Sequence, residues 1–197
     1  MANDGPNFRA APSRIETVED EYGGETYQAR LYYRGPLQWG GSPRAIRLDV
    51  TRQEALASSV VDRSLIHPYS DGDTVAVSLI PCYSLAEIMA EKLRAVGGQR
   101  RFAVSRDLYD IHRLAGSGVR AEDVVLMLEG KSRARDVDLG GLSVQCLQGR
   151  RDEFREDWKR QLAYLVQTDH GTRFEDAWCT VVKIVAQIAS LLGSLNE

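Results

Sequence analysis

Lys92 is a charged residue at a position where the pattern of the sequence predicts an apolar one, which makes it a candidate functional residue. It lies between Ser84 and Val96, where apolar residues recur at the spacing of a helix, about 100° per residue. The apolar side of this helix consists of Leu85, Ile88, Met89 and Val96, and the polar side of Glu87, Glu91 and Arg94. Because Lys92 falls within the apolar side, its ammonium must reach an edge, pair with a buried carboxylate, or face a polar cleft that binds an anion.

Asp49 lies in a run that alternates as a β-strand does. One face carries Ile46, Leu48 and Val50. The other face carries Arg47 and Asp49, and it is either the solvent side of a half-buried strand or the wall of a cleft. In a cleft, the carboxylate would hold a metal ion or take a proton from a hydroxyl group.

Arg106, Asp107 and Asp110 stand together early in a second predicted helix. Asp107 is in phase with the apolar residues of that helix, so we expect it at the core boundary, where it either compensates the helix dipole or takes part in a site. From Glu91 to Leu114 there are six basic side chains and three acidic ones. Such an excess suits a polyphosphate, although runs of charge are also typical of solvated faces.

Composition excludes several classes of protein. With 197 residues, 43% hydrophobic and 27% charged, the chain resembles one globular domain or one domain with a small appendage. A net charge of -3 gives no overall attraction to nucleic acid or to a membrane. Cys82, Cys146 and Cys179 have neither the number nor the spacing of a disulfide framework or a zinc site. The longest apolar stretch, residues 180–192, is too short to span a bilayer, so a soluble cytoplasmic protein is expected.

The elements that must position these side chains form an α+β pattern, with strands first and helices after. Residues 1–25 are poor in large apolar groups, so we expect a flexible N-terminal segment. Alternation predicts strands at 27–33, 45–51 and 74–80. Helical spacing predicts helices at 84–96, 105–115, 121–128, 150–166 and 174–192. Ser84 and Glu87 predict a capping box at the first helix, and Gly97 with Gly98 predicts its end.

Four short segments follow one another in a specific order. They are Ile46-Arg-Leu-Asp49-Val, His67-Pro-Tyr69, Tyr83-Ser-Leu-Ala-Glu-Ile-Met-Ala-Glu91-Lys92-Leu-Arg-Ala95 and Arg106-Asp107-Leu-Tyr109-Asp110. In this order they resemble the AbiEii/AbiGii family of nucleotidyltransferase toxins. Phe154-Arg-Glu-Asp-Trp158 and Phe174-Glu-Asp-Ala-Trp178 are similar to that family's helical tail. The resemblance therefore covers residues 26–185.

The resemblance implies a partial nucleotidyltransferase core with a mixed sheet at residues 26–97 and a helical C-terminal region at 98–197. It implies a toxin of type IV abortive-infection systems, paired with an antitoxin. Such a toxin would use Mg²⁺ to transfer a nucleotide from a nucleoside triphosphate (NTP) to an RNA, such as a tRNA, or to a protein.

The resemblance also implies roles for individual residues. Asp49 corresponds to a strand carboxylate that binds metal or acts as a base, and Lys92 to a lysine that faces phosphate. Asp107, with the substrate-binding Arg106 and Asp110, corresponds to the family's Arg-Asp motif.

One segment of that family is not recognised in this sequence: a Gly-Ser loop followed by an Asp-x-Asp strand, which supplies two metal-binding carboxylates. Gly41-Ser42 matches in composition only, and Asp136-Val-Asp138 is expected in a loop. We therefore expect a member of this family that is truncated at its N-terminus. Three explanations are open: a gene start placed too late, a gene split in two, or a degenerate copy. The chain is then either an enzyme or a non-catalytic interaction module. In the second case its exposed sheet edge would bind a partner chain or a second copy.

Overall fold

The computed structural model describes residues 7–8, 11, 13–19, 25–35, 40–51, 55–66, 79–134, 136–166 and 171–195. The chain forms two compact units, residues 1–55 and 56–197, whereas the sequence indicated a division after residue 97. The predicted motif His67-Pro-Tyr69 and residues 74–78 of a predicted strand lie outside the described residues.

The first unit contains a three-stranded antiparallel sheet. Its strands are β1 (Arg14–Glu19), β2 (Glu25–Tyr33) and β3 (Arg44–Thr51), paired in the order β1-β2-β3. Strands β2 and β3 confirm the prediction, but β1 lies in the segment expected to be flexible. Its two large apolar residues, Ile15 and Val18, are an odd number of positions apart and so lie on opposite faces. The strand therefore shows no apolar alternation, and pairing with β2 satisfies its backbone.

The two faces of this sheet differ in polarity, as the alternation predicts. Leu31 of β2 lies opposite Ile46 of β3, and Gln28 lies opposite Asp49. Ile46, like its neighbours on that apolar face of β3, remains substantially exposed. Asp49 is thus placed on the polar face.

The second unit begins with an antiparallel pair, β4 (Val61–Ser64) and β5 (Leu79–Cys82), and continues with helices. The α-helices are α1 (Leu85–Arg94), α2 (Ser105–Ala115), α3 (Ala121–Ala134), α4 (Val144–Gly149), α5 (Arg151–Asp157), α6 (Ala163–Val166) and α7 (Phe174–Leu195). Turns of π-helix follow α1 at Ala95–Gln99 and join α5 to α6 at Trp158–Leu162, and a 3-10 turn lies at Leu139–Gly141. The prediction of strands first and helices after is confirmed.

The predicted signals at the two ends of α1 have different outcomes. The Ser84 hydroxyl accepts a hydrogen bond from the Glu87 amide at 3.1 Å, which confirms the serine half of the capping box. The predicted stop at Gly97 is wrong, because the chain continues there as a π-helical turn. A Cβ at Gly97 would lie 3.1 Å from that of Leu142, so this glycine allows close packing between two segments.

The core of the second unit lies where α1, α2, α3 and α7 pack together. Two Phe-x-x-x-Trp segments contribute interlocking rings, because residues four positions apart lie on one helix face. The ring centroids of Trp158 and Phe174 are 5.8 Å apart, and those of Phe154 and Trp178 are 6.1 Å apart. These contacts fix α5 and the following π-turn against α7.

Helix α7 is longer than the predicted apolar stretch and passes a length-and-hydropathy test for a membrane span, at residues 174–193. That test also selects core helices, so it is weak evidence. Val181, Val185 and Ile188 of α7 are fully buried in the core. About 28% of the apolar stretch is buried inside the structure, so packing accounts for part of its apolar character.

Candidate functional site

Lys92 lies between two aspartates of the neighbouring helix. Its ammonium donates to Asp107 Oδ1 at 2.8 Å and lies 2.7 Å from Asp110 Oδ2. The aspartates are three positions apart on α2, so both carboxylates face α1. Of the three alternatives that the sequence left open for Lys92, the structure shows pairing with a buried carboxylate, Asp107.

The Lys92 cluster, as we call Lys92, Asp107, Asp110 and Arg100, combines a buried floor with an open side. The Asp107 side chain is 3% exposed, but that of Lys92 is 26% exposed. Arg100 NH1 lies 3.6 Å from Asp107 Oδ2, so two cations balance two carboxylates. Burial acts to lower the pKa of Lys92, but its hydrogen bonds to Asp107 and Asp110 outweigh burial and raise that pKa above its ordinary value. Lys92 is therefore held protonated at neutral pH.

Two carboxylates from distant sequence hold the start of α2, which carries Asp107. Asp157 Oδ2 accepts from the Ser105 amide at 2.8 Å, and Glu153 Oε1 accepts from the Ala103 amide at 2.6 Å. Burial acts to raise the pKa of each carboxyl group, but these backbone hydrogen bonds and nearby arginines lower both pKa values overall. The helix is thus capped by residues of α5 and not by its own N-cap residue, Val104.

Glu87 and Arg94 were predicted on the polar side of α1, but the structure buries both. Leu85 was predicted on the apolar side, but it is exposed. The reason is that α1 packs on two sides, against α2 and against α3. The Glu87 carboxylate accepts from the Ala57 amide at 2.9 Å and from the Ser58 hydroxyl at 2.7 Å. Hydrogen bonds therefore make burial of a polar face possible.

A second lysine, Lys131 of α3, completes that buried face. Its side chain is 0% exposed, and its ammonium lies 3.0 Å from Glu87 Oε1 and 2.5 Å from Glu91 Oε1. Burial acts to lower the pKa of Lys131, but the two glutamates raise it overall. We call Lys131, Glu87 and Glu91 the Lys131 cluster. Lys131 is seven positions from the buried Val124 and so in helical phase with it, the same signal that identifies Lys92.

Asp49 lies among groups that do not suit a divalent cation. Its carboxylate accepts from Gln28 Nε2 and from Arg47 Nε, each at 3.2 Å, and its side chain is largely exposed. An arginine at this distance repels a metal ion, and the described part of the chain contains no group of three or more potential ligand residues. The implied metal does not fit the donors around Asp49.

Two other predicted positions are placed by the structure. Arg106 is exposed on α2 and lines a cavity that Lys92 does not line. Asp136-Val-Asp138 lies in a loop, as predicted, where Asp138 Oδ1 accepts from the Gly140 amide at 2.8 Å. Of the predicted residues in the second unit, the structure brings together Lys92, Asp107 and Asp110.

Comparison with known proteins identifies a family for this chain. The family model described as nucleotidyl transferase AbiEii toxin, type IV toxin–antitoxin system, matches residues 2–179. No curated protein and no solved structure matches the chain. The match includes all of β1 to α5 and the residues of the Lys92 cluster. The chain belongs to the AbiEii family of nucleotidyltransferase toxins.

Proposed function

We propose that this chain transfers a nucleotide from an NTP to an RNA or protein acceptor, with Lys92 as the cation that faces the phosphates. Membership of the family supports the reaction class. The observation that carries the proposal is that Lys92 is held protonated between Asp107 and Asp110 while a quarter of its side chain remains open to solvent. A fixed ammonium on a partly exposed side chain is suited to stabilise negative charge that develops on phosphate oxygens.

In this reaction the acceptor hydroxyl oxygen forms a bond to the α-phosphorus. The bond from that phosphorus to the bridging oxygen breaks, and pyrophosphate leaves with the bonding electrons. The hydroxyl proton must leave to a base, and its raised pKa excludes Lys92 from that role at neutral pH. We assign proton acceptance to Asp49, as the family resemblance implies.

The other predicted site residues of the second unit support Lys92 or bind substrate. Asp107 is buried against Lys92 and Arg100, so we propose that it positions the lysine. Asp110 is more exposed, and we propose that it and Arg106 contact the substrate. The family typically depends on a divalent metal and an NTP. Because the donors around Asp49 do not fit a metal, no step is assigned to one.

Membership of this family also leads to proposals about the partners of the chain and its cellular location. Type IV toxin–antitoxin systems pair the toxin with an antitoxin, so an antitoxin partner is expected. A tRNA or other RNA acceptor, a second copy or partner chain at the sheet edge, and a cytoplasmic location remain our proposals.

The test is labelling of total tRNA or protein by each of the four α-labelled NTPs in the presence of Mg²⁺. Lys92→Ala should lower labelling by about 100-fold or more, the size of effect seen when one transition-state donor is removed. Lys159→Ala is the matched control, because Lys159 is an exposed lysine that pairs with Glu156 at 2.7 Å. Absence of labelling in every arm, or equal labelling by the Lys92 variant, contradicts the proposal. Absence in every arm would also leave the interaction-module hypothesis in place.

A further inference from the structure

A cavity of about 410 Å³ opens beside the first turn of α2, and its lining contains no residue of the Lys92 cluster. Residues from α2 and from the segment 157–165 line it, among them Arg106, Asp157, Gln161, Leu162, Tyr164 and Leu165. Its volume is in the lower part of the range for small-ligand pockets, about 300–1,000 Å³. It is therefore large enough for one small ligand.

The walls of this cavity combine an aromatic ring with a cation and an amide. The Tyr164 side chain is 63% exposed, and Leu165 beside it is also exposed. Leu162 is buried and forms an apolar part of the wall. Arg106 and Gln161 are exposed side chains of the same lining. A ring left in water next to hydrogen-bonding groups is the surface on which an unstacked nucleobase binds.

The charge available in the cavity is a single positive one. Asp157 uses one carboxylate oxygen for the Ser105 amide and the other for Arg160, at 2.8 and 3.0 Å. Arg106, by contrast, forms no ion pair with any residue in the described part of the chain. One unpaired guanidinium matches the single charge of a phosphodiester, whereas an NTP carries several charges and needs several cations.

We propose that this cavity binds one unstacked nucleotide of a single-stranded RNA end, with its base on Tyr164, its base edge on Gln161 and its phosphate on Arg106. Arg106 directly precedes Asp107, so the cavity and the Lys92 cluster share the first turn of α2. The inference rests on the proposed nucleotide transfer and deepens it, since it assigns the acceptor strand a site on the helical turn that also carries Asp107.

The test measures binding of a fluorescent single-stranded pentaribonucleotide by anisotropy, without NTP or metal. Tyr164→Ala should weaken binding about tenfold, because stacking on one aromatic side chain is lost, while Tyr164→Phe should retain it. Arg106→Gln should weaken binding and lower the slope of log affinity against log salt by about 1. Phe8→Ala, at an exposed ring in the first unit, is the control and should bind as the parent protein does.

The competing ligands separate the possible outcomes. A duplex of the same sequence and a free nucleoside triphosphate should both compete poorly with the single strand. Unchanged binding by Tyr164→Ala and Arg106→Gln, or equal competition by the duplex, overturns the proposal. It is also overturned if these variants lose affinity for the free triphosphate alone, because the cavity would then hold a mononucleotide. Since no transfer is required, RNA binding can succeed where labelling fails, and the two proposals are tested separately.

Discussion

The Lys92 cluster and the Lys131 cluster lie on two sides of the same helix and use the same chemistry, a lysine between two carboxylates. They differ in access to solvent. Lys92 is 26% exposed, whereas Lys131 is 0% exposed. Each lysine has one buried carboxylate partner, Asp107 or Glu87, and one partly exposed partner, Asp110 or Glu91. A raised lysine pKa is common to both, so the pKa direction does not distinguish a site from a structural contact. The exposure of the lysine does, because a ligand can reach Lys92 but not Lys131.

The Lys131 cluster also explains how the Lys92 cluster is aligned. Glu91 binds Lys131 of α3, and Lys92 is the next residue along α1. Successive residues of a helix differ in direction by about 100°, so fixing Glu91 against α3 turns Lys92 toward α2. The two clusters together set the rotation of α1.

Removing the sealed lysine should have the largest effect on stability. Lys131→Met leaves Glu87 buried without its counter-charge, and loss of one partner of a buried pair costs about 3–5 kcal/mol. Urea unfolding measures this cost. Glu87→Gln combined with Lys131→Met should recover much of the loss, because glutamine can still accept from the Ala57 amide. A cost below about 1 kcal/mol for Lys131→Met would show that Glu87 is hydrated and that the contrast between the clusters is false.

Removing the open lysine should cost less stability and more activity. Lys92→Met leaves Asp107 with Arg100 and leaves Asp110 partly hydrated, so we expect a loss of about 1–2 kcal/mol in urea unfolding. Labelling by NTP should fall by about 100-fold under conditions where the variant is folded. If Lys92→Met is as destabilising as Lys131→Met, the open cluster is a structural contact as well.

Loss of the hydrogen bond between the Ser105 amide and Asp157 should disturb the Lys92 cluster and leave the Lys131 cluster unchanged. Asp157→Ala removes the acceptor for the Ser105 amide, and loss of a helix cap costs about 1 kcal/mol. Thermal unfolding measures the cost, and hydrogen exchange should show faster exchange of the first amides of α2 with no change in α3. Asp157→Asn retains an acceptor and should lie close to the parent protein. Faster exchange in α3 would mean that the cap stabilises the whole unit.

The pKa of Lys92 tests the balance of forces in the open cluster. In the parent protein this pKa is raised, so the stability it contributes is fully present below the ordinary lysine pKa of about 10.4 and is lost as pH rises through the raised value. In the double variant Asp107→Asn, Asp110→Asn, burial acts without the counter-charges, and the pKa should fall below its ordinary value. Titration of ¹³C-labelled lysine followed by NMR measures the pKa of Lys92 in the parent protein and in the double variant. A pKa that remains raised in the double variant would identify another anion as the partner of Lys92.

The helical spacing of apolar residues in the sequence predicted the Lys92 cluster but missed the Lys131 cluster. Lys92 interrupts an apolar run and could be identified, but the predicted third helix ended at residue 128, before Lys131. Gly130 disfavours helix, so the sequence pattern did not predict that α3 continues through it to Ala134. The burial of Glu87 was also missed, because a helix wheel assumes one buried side and α1 has two.

Other features depend on contacts between distant residues and leave no local pattern. The strands β2 and β3 alternate and were predicted, whereas β1 acquires its structure from its pairing with β2. The π-turn at Trp158–Leu162 interrupts a region predicted as one continuous helix, since aromatic packing against α7 is not visible in helical spacing.

The distant cap of α2 has a consequence for the order in which the chain is made. The two acceptor carboxylates follow the amides that they bind by 50 and 52 positions. As the chain leaves the ribosome, Lys92, Asp107 and Asp110 therefore emerge well before Glu153 and Asp157, and the first turn of α2 waits for its acceptors. The hydrogen bonds that cap the start of α2 therefore form only late in synthesis. Until then the first turn of α2, which carries Asp107, lacks the two acceptors that stabilise it in the folded protein.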